Sequence, residues 1–267
     1  MNTRNGNQAG GQRKRKGHPR WPAFVSLATV VLVWWLAGRL AGLPVFILPT
    51  PGLVWERFVE SLLDLSLLVH AGVTLLEVLL GMFFGVGFAT VVGYLIAKSR
   101  LFERLLSPYM VASQAIPIVA IAPLLVIWFG PGMISKVLIC ALIVFFPVLV
   151  NTVVGVRAVP RDLRDLMRSL HATRWQTLRY LEIPAALPVF LGGLRIGATL
   201  SVIGAVVGEL TGADMGLGFL VNIARGQYDT AMVFVAVFTL IALALLLYGT
   251  VTLLEGKLLT WQDVPRH

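Results

Sequence analysis

Apolar residues gather in six long blocks, separated by shorter polar stretches. The blocks run about Trp21–Leu43, Gly72–Ala97, Pro108–Phe129, Ile134–Val156, Ala185–Leu210 and Thr230–Leu254. Each is near or above the roughly 20 residues needed to cross the hydrocarbon core of a bilayer. The pattern therefore predicts six transmembrane helices and an all-α membrane protein. Between the first two blocks, Pro51–Val69 is amphipathic: Trp55, Phe58, Leu62 and Leu65 share one side, with Glu56, Arg57, Glu60 and Asp64 elsewhere. This segment is expected to lie along the interface rather than across it.

The longest polar interruption inside the apolar sequence is Arg157–Pro184. Its first part reads as a short helix opening at Pro160, a residue suited to a helix's first positions. Leu163, Leu166, Met167 and Leu170 fall at i, i+3, i+4 and i+7, one apolar stripe. Arg161, Asp162, Arg164, Asp165 and Arg168 occupy the other face. After His171-Ala172-Thr173, a second helical piece carries Trp175, Leu178 and Leu181, and Pro184 is expected to stop it. The stripe is too short to span a bilayer, so a partner protein is the natural place to bury it.

Composition sharpens the membrane reading. Hydrophobic residues make up 57% of the 267 and charged residues only 13%, with a mean hydropathy of +0.84. Soluble domains seldom carry so few charges. The first 20 residues are polar and hold the cluster Arg13-Lys14-Arg15-Lys16, which suits a disordered cytoplasmic tail touching anionic lipid rather than a nucleic-acid patch. The following apolar run is too long, and lacks the small-residue site, for a cleaved signal peptide. With this tail inside, 17 of the 22 Lys and Arg residues fall on cytoplasmic segments, and Arg39, Arg57, Lys136, Arg195 and Arg225 do not. That asymmetry predicts cytoplasmic termini and a cytoplasmic 157–184 loop.

Several chemistries are missing. There is no G-x-x-x-x-G-K-[ST] phosphate loop, since leucines follow Gly256-Lys257, and no H-E-x-x-H or paired-Cys metal site. No catalytic residues, metal ligands or bound cofactor are expected. Cys140 stands in an apolar run and reads as packing. His70 and His171 fall on opposite sides of the membrane, too far apart to share a site. Glu77, Arg195 and Glu209 lie toward span ends, which disfavours a self-powered proton carrier. Arg195 is expected to snorkel to the headgroups. Pro117 and Pro123 break the third span, and Ser113 and Gln114 just before them suit a translocation path or interhelical hydrogen bonds. Asn151 carries the same two readings. Gly81, Gly85 and Gly93, with Gly192, Gly193 and Gly197, read as close-packing surfaces. Leu217–Ile223 reads as a short re-entrant helix in a glycine-rich loop. For Glu209 and Asp214 the commoner explanation is a solvated loop charge.

The 157–184 segment resembles the cytoplasmic "EAA" loop of permease subunits of ATP-binding-cassette importers, E-A-A-x3-G-x9-I-x-L-P. Asp165-Leu166-Met167 stand at E-A-A, His171 at the glycine, and Leu181-Glu182-Ile183-Pro184 at I-x-L-P. Spacing is kept while identities soften. Glycine at the turn would permit a left-handed residue, and histidine enters positive φ more readily than most residues. Further stretches are similar to the nitrate/sulfonate/taurine branch: Phe46-Ile47-Leu48-Pro49-Thr50-Pro51, His70-x-x-x-Thr74-Leu75, Ile116–Leu124 with Trp128–Gly132, and Gly208-Glu209 followed by Gly216-Leu217-Gly218. Leu200–Glu209 looks closest to permeases for riboflavin or the thiamine pyrimidine precursor.

The resemblance implies a type I importer permease of six helices in a bacterial or archaeal cell membrane. A tail at 1–20, a first helix at 21–43 and an external segment at 44–71 would precede a five-helix core at 72–256 and a cytoplasmic tail at 257–267. The coupling helix would present Leu163, Asp165, Leu166, Met167, Leu170, His171 and Pro184 to a pair of separate ATPase subunits, which use ATP and magnesium. Ser113, Gln114, Pro117 and Asn151 would border the path, and Glu209 and Asp214 the outer mouth where a binding protein docks. A second permease copy or paralogue would complete the pathway. A self-contained secondary carrier or channel is the alternative.

Overall fold

The computed structural model describes residues 21–40, 42, 44–99, 101–105 and 117–260. Ser113, Gln114, the basic tail, the first half of the third predicted span and the last seven residues lie outside them. The chain divides into two units, 1–51 and 52–267. The first contains α1 (Trp21–Leu40). A turn after α1 brings the Pro49 carbonyl within 3.1 Å of Trp34 Nε1, which donates to it.

The second unit is a helical bundle. Its elements are α2 (Pro51–Leu63), α3 (Ser66–Lys98), α4 (Ile118–Phe129), α5 (Met133–Arg157), α6 (Arg161–Ser169), α7 (Arg174–Gly212), α8 (Leu217–Gly226) and α9 (Thr230–Leu258). Among the described residues, α3, α5, α7 and α9 are long and apolar enough to cross a membrane, while α4 and α8 are shorter apolar helices. Expectation and structure differ at three boundaries. The amphipathic segment expected over Pro51–Val69 ends at Leu63, because Leu65 turns left-handed (φ 64°) and Asp64 caps the next helix through the Ser66 N–H and hydroxyl. Consequently α3 begins six residues before Gly72. Pro184 does not stop the helix it was expected to end. A π-helical turn at Leu178–Glu182, with the Ile183 N–H donating to the Leu178 carbonyl, widens the backbone ahead of the proline, and α7 runs through.

The core of the bundle is α3, α5 and α7, held together by small residues. A Cβ placed on Gly81 would lie 2.2 Å from Cys140 Cβ, and one on Gly204 of α7 would lie 3.0 Å from Cys140 Cα. Cys140 thus fills the crossing of three helices and is fully buried. Large residues point the other way: Phe83, Phe84 and Phe88 of α3 are exposed. A bundle with small residues inside and bulky apolar ones outside is what lipid solvent favours. Hydrocarbon gives no reward for hiding a phenylalanine, and close backbone approach maximises dispersion contacts.

Candidate functional site

Two polar constructions occupy opposite ends of the bundle. His70 and Lys98, one at each, are 28 residues apart on α3, about 42 Å at 1.5 Å per residue.

The first is the elbow formed by α6 and the start of α7. Arg164 ties α6 to the bundle by donating to the Val156 carbonyl at 2.7 Å. Just before it, Arg157 at the end of α5 pairs with Glu103 at 2.6 Å. Otherwise α6 stands free and buries no residue. Leu163, Leu166 and Leu170 are exposed, Leu166 by 53% and Leu170 by 67%, and Met167 is half-buried. Asp165 pairs with Arg168 on the same helix at 2.9 Å. His171 sits at φ 51°, with its N–H on the Arg168 carbonyl and the Ala172 N–H on the Met167 carbonyl. These bonds make a Schellman motif with histidine at its left-handed position. Thr173 then opens α7 with a capping box to Gln176.

Below the elbow, Glu182 is almost wholly buried, in the π-helical turn of α7. Its carboxylate accepts from Lys98 Nζ and, at 3.1 Å, from the Tyr94 hydroxyl. The last turn of α3 is thereby bound to the first turns of α7. Nothing local in the sequence marks this triad, since its members stand 84 and 88 residues apart.

The second construction lies at the other end, around Glu209 of α7. Glu209 is 1% exposed, so the expected solvated loop charge is instead a buried helical carboxylate. The Thr74 hydroxyl donates to its Oε1 at 2.6 Å and the Gly218 N–H to its Oε2. Thr74 in turn accepts from the Leu217 N–H at 2.8 Å, and His70 Nδ1 accepts from the Gly216 N–H at 3.0 Å. Acceptance at Nδ1 assigns the ring proton to Nε2. Gly216 holds φ 117°, and a Cβ there would fall 2.2 Å from Glu209 Oε1. Beside this knot Lys136 of α5 pairs with Glu77 of α3 at 3.1 Å, both buried. His70-x-x-x-Thr74, Gly208-Glu209 and Gly216-Leu217-Gly218 are therefore parts of one device that fastens the loop before α8 to α3 and α7. His70 and Thr74, at i and i+4, were the available signal. Glu77 and Lys136 offered none.

Other sequence-derived candidates are more dispersed. Pro117 precedes α4 and is exposed, and Asp214 is exposed in the loop before α8. Asn151 Nδ2 donates to the Pro147 carbonyl at 2.8 Å, and its side chain fills the space over Gly193. Arg195 does not snorkel freely: it pairs with Glu255 and lies 5.5 Å from the Tyr248 ring centre. Pro184, half-buried, follows the π turn. Among the described residues no cluster of His, Cys, Asp and Glu suits a metal ion.

Residues 78–260 match the family of binding-protein-dependent transport system inner membrane components. The riboflavin transport system permease protein of Chloroflexus aurantiacus is 48% identical over 245 residues, covering 91% of each chain. The formylaminopyrimidine transport permease protein of Halalkalibacterium halodurans is 35% identical, covering 87% of this chain and 92% of that protein. The taurine transport system permease protein of Escherichia coli is 32% identical, covering 91% and 92%. Among solved structures, an inward facing form of the MetNI methionine ABC transporter superposes with a TM-score of 0.64 at 17% identity. The match covers 73% of this chain and 97% of that one, a likeness of fold.

Proposed function

The chain belongs to the family of binding-protein-dependent transport system inner membrane components and is a permease subunit of an ATP-binding-cassette importer; from that premise we propose how it is driven and what it carries. The drive enters at α6. Its exposed leucine face is the observation that carries this reading: Leu163, Leu166 and Leu170 form an unpartnered apolar stripe on a helix the bundle holds by only a few contacts. A pair of separate ATPase subunits buries that stripe in a groove, and ATP-driven closure of the pair swings the elbow. The Lys98–Glu182–Tyr94 triad passes this movement to α3 and α7. The opposite end receives substrate from an extracytoplasmic binding protein, with Asp214 at the mouth, and a second copy or a paralogue encloses the path. The positive-charge asymmetry supports placing the elbow and both termini in the cytoplasm.

Riboflavin, or the pyrimidine precursor of thiamine, is the cargo this reading favours over sulfonate, taurine or nitrate. Support comes from the 48% identical riboflavin permease and from the Leu200–Glu209 run. A thermal-shift screen of the cognate binding protein tests this directly. Stabilisation by riboflavin or the pyrimidine is expected, whereas a response to sulfonates alone would reassign the cargo. Purified permease alone in liposomes is expected to accumulate nothing. Uptake without nucleotide or partner proteins would contradict the proposed drive.

A further inference from the structure

Two cavities meet under the elbow and share Tyr94 and Glu182 as a common wall. One, of about 430 Å³, is apolar and lies between α3, α5 and α7, against Val91, Leu95, Val156, Ile183, Leu187 and Phe190. Its hydroxyls are already committed. Thr90 and Thr152 each donate to their own helix at 2.7 Å, and Tyr94 donates to Glu182. A ligand with many acceptors would find no donor there.

The other cavity, of about 740 Å³, is cationic and is bordered by Lys98, Arg164, Arg168 and Arg174. Lys98 is balanced by Glu182 and Arg168 by Asp165. Among the described residues no carboxylate pairs with Arg164 or Arg174. Arg164 makes one donation, to the Val156 carbonyl at 2.7 Å. Two guanidinium groups without a carboxylate partner leave the cavity with an excess of positive charge, which an anion would offset.

We propose that these joined cavities hold one anionic phospholipid, its phosphate between Arg164 and Arg174 and an acyl chain in the apolar cavity. A headgroup phosphate supplies the acceptors the arginines lack, and a hydrocarbon chain asks nothing of walls that have no free donor. Basic pockets between helices at a membrane surface commonly take such headgroups. Val91 and Leu95 are exposed on the outer surface of α3, which gives a chain lateral access from the bilayer. Seated there, the lipid bridges α6 to α3 and α7 beside the Glu182 triad. Its presence would thus bear on how firmly the elbow is held.

Lipid retention during delipidation of the assembled complex, followed by native mass spectrometry and extraction, tests the proposal. Nanodiscs of phosphatidylglycerol in phosphatidylcholine supply the lipid. Wild-type complex is expected to keep one phosphatidylglycerol per permease. Arg174→Gln should lower that retention about fivefold, the equivalent of about 1 kcal/mol for one basic residue at an anionic surface. Val91→Trp, at an exposed position, should displace the chain and lower retention without altering assembly. Unchanged retention in both variants would overturn the proposal. So would displacement of the lipid by millimolar inorganic phosphate or by a soluble phosphorylated flavin, either of which would assign the basic cavity to a free phosphate. Dissociation of the complex by Val91→Trp would assign the apolar cavity to a subunit contact instead.

Discussion

The elbow and the glutamate knot differ in how their polar and apolar groups are satisfied. At the knot, Glu209, Thr74 and His70 hold three successive backbone N–H groups, with Glu209 and Thr74 buried and His70 half-buried. At the elbow, α6 keeps its leucines in the open and its ion pair on its own surface. A satisfied, buried polar network is rigid and resists rearrangement. An amphipathic helix with an uncovered apolar face is incomplete, and its energy depends on what covers it. One end of this permease is built to stay put, and the other leaves an apolar face uncovered.

The strongest way to break this contrast is at the knot. Glu209→Ala leaves the Gly218 N–H without its acceptor and the Thr74 hydroxyl with only the His70 carbonyl at 3.2 Å, and it removes a buried carboxyl beside the Lys136–Glu77 pair. A buried donor left unmet costs about 1–3 kcal/mol, and the cavity left by the truncated side chain adds to that loss. Detergent-purified variant should melt far below wild type or fail to accumulate, and an unchanged melt would show the knot to be ornamental. Gly216→Ala should fail similarly, since its Cβ would collide with Glu209 in a backbone conformation alanine avoids.

Lys98→Ala should come next. It leaves the buried Glu182 with Tyr94 alone, a loss of about 1–3 kcal/mol. Because the triad joins α3 to α7 beneath the elbow, coupled transport should fall further than the melt alone explains. Equal losses in the two measurements would make Lys98 merely structural.

A smaller, opposite effect is expected at His171. A left-handed L-residue costs roughly 1–2 kcal/mol, which glycine escapes. His171→Gly should therefore raise thermal stability by about 1 kcal/mol or a little less, because glycine loses more chain entropy on folding. His171→Val should lower it.

The least effect belongs to Asp64. Hydrogen bonds from the Ser66 hydroxyl and then the Ser66 N–H hold its carboxyl below the ordinary aspartate range. A depressed folded pKa contributes stability above the unfolded value, near pH 4, and loses it as pH falls through the folded value. Ser66→Ala should bring the NMR-measured pKa of Asp64 back up and weaken this acid-side dependence. The melt at neutral pH should barely move, because the group is at the surface.

Much of this was legible in the chain. The spacing from Asp165 through His171 to Pro184 placed the elbow, and α5 and α9 lie close to their expected blocks because unbroken hydropathy is a local signal. Pro184 misled because a π turn five residues long absorbs the proline, and no residue type announces that turn. Glu209 misled for another reason. Read alone, a glutamate near a glycine-rich loop looks solvated, and its burial depends on Thr74, 135 residues away, meeting it in space. The Glu182 and Lys136 pairings share that character, since single-chain periodicity says nothing about which helices become neighbours.

The most direct measurement concerns Leu166. Leu166→Asp puts a charge into the stripe without touching the bundle, so membrane insertion and thermal stability should match wild type. Reconstituted with its ATPase and binding protein, the variant should lose substrate-stimulated ATP hydrolysis and uptake together. Wild-type stimulation and uptake by Leu166→Asp would contradict the claim that force enters this permease through α6.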